Sequence, residues 1–72
     1  MHIGNRIKEV MKERRMSVVA FSRQLGCSRT NAYKLFDHYS IDTMQLLHIS
    51  SILDHDFFEE YRQELHSAHH AE

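Results

Sequence analysis

Residues 17–36 read SVVAFSRQLGCSRTNAYKLF. Ser17 opens the stretch as a natural helix N-cap, because a serine hydroxyl can accept from an amide that the first helical turn leaves unpaired. Met16 and Phe21 stand on either side of it at the two positions of a hydrophobic staple. The helix that follows points Val18, Phe21 and Leu25 inward and stops at Gly26, the residue best able to adopt a left-handed conformation. Ser28 then caps a second short helix, whose inward residues are Ala32, Leu35 and Phe36. Leu25 and Cys27 flank the turn as apolar plugs, and Ser22 supplies a small side chain where two helices cross closely.

Outward from this stretch, helical spacing recurs and no segment alternates with period two. Ile3, Ile7, Val10 and Met11 make one stripe, which predicts a first helix ending near Arg14. Beyond a polar loop over residues 37–40, Asp42 with Gln45 forms a capping-box pattern, and Ile41 with Leu46 a staple. That fourth helix carries Leu46, Ile49 and Leu53, with Leu47 and Ile52 beside them. Asp56 with Glu59 opens a fifth, bearing Phe57, Phe58, Tyr61 and Leu65. The expected fold is all-α: a compact five-helix domain over residues 1–66 and a frayed tail over residues 67–72.

Composition agrees with that picture. A chain of 72 residues with no proline, two glycines and 26% charged side chains has room for one small helical domain. No apolar run exceeds four residues, which excludes a membrane span. One cysteine makes no internal disulfide, so a reducing, cytoplasmic setting is expected. The net charge of −1 conceals a division. Residues 1–36 carry eight Lys/Arg against two acids, and residues 37–72 carry one Arg against eight acids. A +6 half beside a −7 half suits a surface made for a polyanion; two solvated faces would be the plainer explanation.

Two short helices around a tight glycine turn are the outline of a helix-turn-helix, although an ordinary helical hairpin shares it. The outer face of the second helix favours the former. With Ala32, Leu35 and Phe36 inward, Thr30 and Lys34 point directly away, Asn31 and Tyr33 flank them, and Arg29 can curl forward off the helix end. The set contains no acid and no large aliphatic residue. Arg, Asn and Thr can read base edges, while Lys and Tyr reach phosphates. Ser17 and Ser28, at the helix starts, join Arg29, Thr30, Asn31, Tyr33 and Lys34 as candidate DNA contacts. Arg14, Arg15 and Arg23 are candidate phosphate contacts.

Gly4-Asn5-Arg6-Ile7-Lys8, Leu25-Gly26-Cys27-Ser28-Arg29-Thr30, and Leu46, Ile49 and Leu53 together resemble the lambda-repressor-like (XRE) helix-turn-helix family. The resemblance covers roughly residues 3–58. It implies a five-helix DNA-binding domain that regulates transcription, usually as a dimer on a palindromic operator. Val18 stands where many members have a Gln that clamps a phosphate. That contact would pass to the Ser17 hydroxyl, the helix N-terminus, Arg14 or Arg15. Arg15 stands where a helix-ending glycine is common, and Ala32 is smaller than the usual Val or Ile.

The remaining candidates are weaker. His66, His69 and His70 include a metal-like spacing, but structural zinc usually takes four ligands with Cys among them, so no metal and no cofactor are expected. Cys27 reads better as a plug than as a redox sensor. Asp37 with His38, and Asp54-His55-Asp56, sit where caps explain them, and no nucleophile–base pair or phosphate-cradling loop points to an enzyme. Phe58, Tyr61 and Leu65 exceed what one short helix needs for a thin core, and they are the candidate dimer or partner surface. Two occupants are open for it: a second copy of the chain, or a toxin-like protein neutralised by this one as an antitoxin.

Overall fold

The computed structural model describes residues 1–70, with side chains through residue 68. In chain order the helices are α1 (Ile3–Glu13), α2 (Val18–Leu25), α3 (Arg29–Phe36), α4 (Thr43–Leu53) and α5 (Phe57–His70). The expected all-α architecture is present, and α5 continues beyond Ser67, where the apolar stripe has already ended, to His70. Residues 71 and 72, and the side chains of His69 and His70, lie outside the described residues.

The predicted caps form as local chemistry dictates. The Ser17 hydroxyl accepts from the Ala20 amide and the Ser28 hydroxyl from the Asn31 amide, each at 3.1 Å. Asp42 and Asp56 accept from Gln45 and Glu59 at 2.8 and 3.1 Å. The reciprocal half of the second capping box is replaced, since the Glu59 carboxylate accepts from Arg62.

Three helices end in one hydrogen-bond pattern, with the chain turning left-handed and two amides reaching back. At Gly26 (φ 81°) the Cys27 amide reaches the Ser22 carbonyl at 3.0 Å and the Gly26 amide the Arg23 carbonyl at 3.3 Å. Arg15 (φ 57°) ends α1 likewise, with its amide on Lys12 and the Met16 amide on Met11. Asp54 (φ 48°) ends α4 in the same way. The glycine-like position at Arg15 is thus filled by a side chain that the left-handed region disfavours.

Ile3, Ile7, Val10, Phe21, Ile49 and Phe57 are fully buried at the centre, closed in by Ala32, Leu35, Phe36, Leu46 and Leu53. The helix-turn-helix pair packs together, with α1 against α3 and α2 against α4. Ser22 is buried at 4% exposure, as a close crossing needs, and returns its hydroxyl to the Val19 carbonyl. Phe57 closes the core, Phe58 keeps 38% exposure, and Leu65 keeps 61%. Tyr61 is half-buried against the core; burial first, then Glu64 and Tyr39, push its phenol above the usual value. Among the described residues no helix is long and apolar enough to cross a membrane.

Candidate nucleic-acid interface

The interface is built on α3, an eight-residue helix held from three sides. Its inward residues Ala32, Leu35 and Phe36 are 0–5% exposed. Gly26 sets its entry, and α1 holds its exit: the Ile3 and Gly4 amides donate to the Tyr39 and His38 carbonyls, both at 3.0 Å. Amides that the first turn of α1 leaves without intrahelical partners therefore anchor the loop that follows α3.

Arg29, Thr30, Asn31, Tyr33 and Lys34 are all exposed. None of these side chains makes an ion pair or a hydrogen bond within the protein among the described residues. They divide into flanks. Asn31 and Lys34 line a cleft towards α4 with Cys27, His38 and His48. Tyr33 turns towards α1, its ring edge-on to Phe36 with centroids 6.0 Å apart. Helical spacing puts Thr30 between these flanks, and Arg29 is the first residue of α3.

Ser17 and Ser28 are exposed at the starts of α2 and α3. Capping occupies their oxygens as acceptors and leaves their hydroxyl protons to donate. Arg15 and Arg23 are exposed and have no ion-pair partner among the described residues. Arg14 is differently placed: its Nη2 donates to the Asp54 carbonyl at 2.8 Å and so binds the end of α4.

The positive half of the chain is accordingly smaller at the surface than in the sequence. Arg6 is a hub, with Nε on Glu60 at 2.6 Å and Nη1 on Glu9 at 3.0 Å and near Glu13 at 3.6 Å. The cations with neither an ion-pair partner nor a side-chain hydrogen bond among the described residues are Lys8, Lys12, Arg15, Arg23, Arg29 and Lys34; Arg14 lacks the former but has the latter. Lys8 and Lys12 were not singled out by motif. Their signal was spacing, four residues apart on a face of α1 with no acid. Sequence reasoning also undercounted exposed apolar surface. Met44 and Leu47 lie off the α4 stripe at 73% and 54% exposure, and Leu47 lines one depression with Phe58.

A small all-α domain whose second and third helices form a glycine-turned pair, with a basic, uncommitted outer face on the third, has the form of a helix-turn-helix DNA-binding protein. The family model of the Cro/C1-type HTH DNA-binding domain matches residues 6–59, and the chain belongs to that family. No curated protein and no solved structure gives a match to the chain.

Proposed function

We propose that the chain is a cytoplasmic, sequence-specific transcriptional regulator, a repressor, which lays α3 in the major groove and binds a palindromic operator as a homodimer. The observation that carries this reading is the outer face of α3, where five side chains suited to bases and phosphates are exposed and uncommitted. Arg29 and Asn31 read base edges near the helix start, with Thr30 between them. Lys34 and Tyr33, with Arg15, Arg23 and the Ser17 and Ser28 hydroxyls, hold phosphates. Arg14 serves mainly to cap α4. Repression needs no further chemistry, since a dimer on its operator excludes other proteins from the same DNA.

One α3 reads too few base pairs for specificity, so two copies act together. Phe58, Tyr61 and Leu65 supply the partner surface, extended onto α4 by Leu47. The exposure of Met44 and Leu47 also supports the second reading, an antitoxin that holds a protein partner there.

Selection of bound DNA from a random pool, followed by sedimentation of the complex, tests both readings. A recovered palindrome carrying two chains is expected, and Leu47→Glu with Phe58→Glu should reduce it to one. A one-to-one complex on selected DNA would overturn the dimer. An antitoxin or other interaction module would bind its own operator as well, so co-purification with a protein partner, lost in the same Leu47→Glu and Phe58→Glu variant, would put the second reading first.

A further inference from the structure

Helix α1 is capped by an imidazole. The Asn5 amide donates to His2 Nδ1 at 3.0 Å, so the ring takes the place that Ser17, Ser28, Asp42 and Asp56 take at the other four helices. A hydroxyl or carboxylate accepts at any pH near neutrality, whereas an imidazole nitrogen accepts only while it carries no proton. The same ring meets Tyr39 edge-on, with centroids 5.8 Å apart. Tyr39 lies in the loop after α3, and its carbonyl receives the Ile3 amide while His38 receives that of Gly4. His2 thus touches both sides of one junction, the start of α1 and the exit of α3.

We propose that His2 is a positioning residue for DNA binding, which holds α3 in place while neutral and releases it when protonated. The proposal rests on the DNA-binding reading above. Protonation turns Nδ1 from acceptor to donor against the Asn5 amide, and it sets a positive charge where the first amides of α1 already carry one. The Met1 ammonium is bonded to Glu64 of α5 at 2.7 Å, and Arg6, four residues along α1, to Glu60 at 2.6 Å. Both of those carboxylates are therefore committed to other cations. From the loop after α3 come the Tyr39 phenol and His38. The cap is present above the range in which histidine changes charge, about pH 5 to 8, and is lost as pH falls through it.

The test titrates DNA selected by the parent with the parent, His2→Ser and His2→Ala, at about pH 8 and about pH 5.5, either side of the histidine range. Serine keeps a cap that does not titrate, and alanine has none at either pH. His38 and His48 line the cleft beside Asn31 and Lys34 and gain charge in acid in all three proteins, so only differences between the proteins count. The parent should match His2→Ser at the higher pH and bind up to about fivefold more weakly than it at the lower, the worth of one N-cap. His2→Ala should be weaker by that factor at both. Parallel pH profiles of the parent and His2→Ser overturn the proposal, as does a His2→Ala protein that matches His2→Ser throughout. Hydrogen exchange of the Ile3 and Gly4 amides in the free protein should lose protection in acid in the parent and not in His2→Ser. Unchanged protection, with DNA still selected, would overturn the junction alone. Protection lost in a protein that selects no DNA would overturn the DNA-binding reading and the positioning role with it.

Discussion

A Cβ placed on Gly4 would stand 2.2 Å from the carbonyl oxygen of Phe36 and 2.8 Å from that of Leu35. The backbone at the start of α1 thus lies directly against the end of α3, and the Gly4 amide secures the same junction through His38. No side-chain rotation can relieve that contact, because the atoms met are main chain. Gly4→Ala should cost at least about 1–3 kcal/mol by overpacking and should also weaken DNA binding, since α3 must shift. Gly26→Ala meets no atom and bears only the left-handed cost of about 1–2 kcal/mol. Denaturant unfolding of the two variants ranks them, and a milder Gly4→Ala would show that α1 and α3 can part.

Arg15 holds a left-handed conformation without being glycine. Arg15→Gly should therefore raise stability by up to about 1 kcal/mol while removing a cation proposed for phosphate. Asp54→Gly, at the matching position of α4, should gain less, because Asp tolerates this region better, and should leave DNA affinity alone. Melting curves and operator titrations of the pair separate strain from contact. Destabilisation by Arg15→Gly would mean that its side chain matters to the fold.

On α3, positioning and reading should come apart. Lys34→Ala should weaken binding alike on all sequences and flatten the salt slope by roughly one unit per chain. Arg29→Ala or Asn31→Ala should cost about 1–3 kcal/mol on the preferred site and less elsewhere. Competition binding against single-base operator variants measures both. Parent-like behaviour of all three would remove α3 from the interface.

Arg6 belongs to the positive half of the chain, yet its guanidinium is tied to Glu60, Glu9 and Glu13. Arg6→Ala should destabilise the protein by about 1.5–3 kcal/mol, the range for hydrogen bonds to charged groups. It should leave the salt slope of DNA binding unchanged, in contrast to Lys34→Ala. A shallower slope in a folded Arg6→Ala protein would return Arg6 to the DNA surface.

Helix α5 runs on past Leu65, its last large apolar residue, with Leu65, Ser67 and Ala68 exposed. Deleting residues 67–72 should then shift stability by no more than about 0.5 kcal/mol, and added zinc should leave the melting temperature where it was. A larger loss, or metal-dependent stabilisation abolished with His66, would give the tail a role.

Much of this molecule was decided within a few residues at a time. Ser17, Ser28, Asp42 and Asp56 bond amides three residues ahead, and Gly26 turns the chain by its own conformational freedom. The stripes through Ile7, Phe21, Leu35 and Ile49 follow from helical periodicity, and so does the outward direction of Thr30 and Lys34. Interactions of that range are written in spacing and residue type. Which cations stay free for a partner was not, because Arg6 meets Glu60 and Arg14 meets the Asp54 carbonyl across 54 and 40 positions. The close approach at Gly4, the grouping of Lys8 and Lys12 with Tyr33, and the pairing of Leu47 with Phe58 likewise join different helices. No local period encodes such meetings; they arise only once the packed core sets the distances between helices.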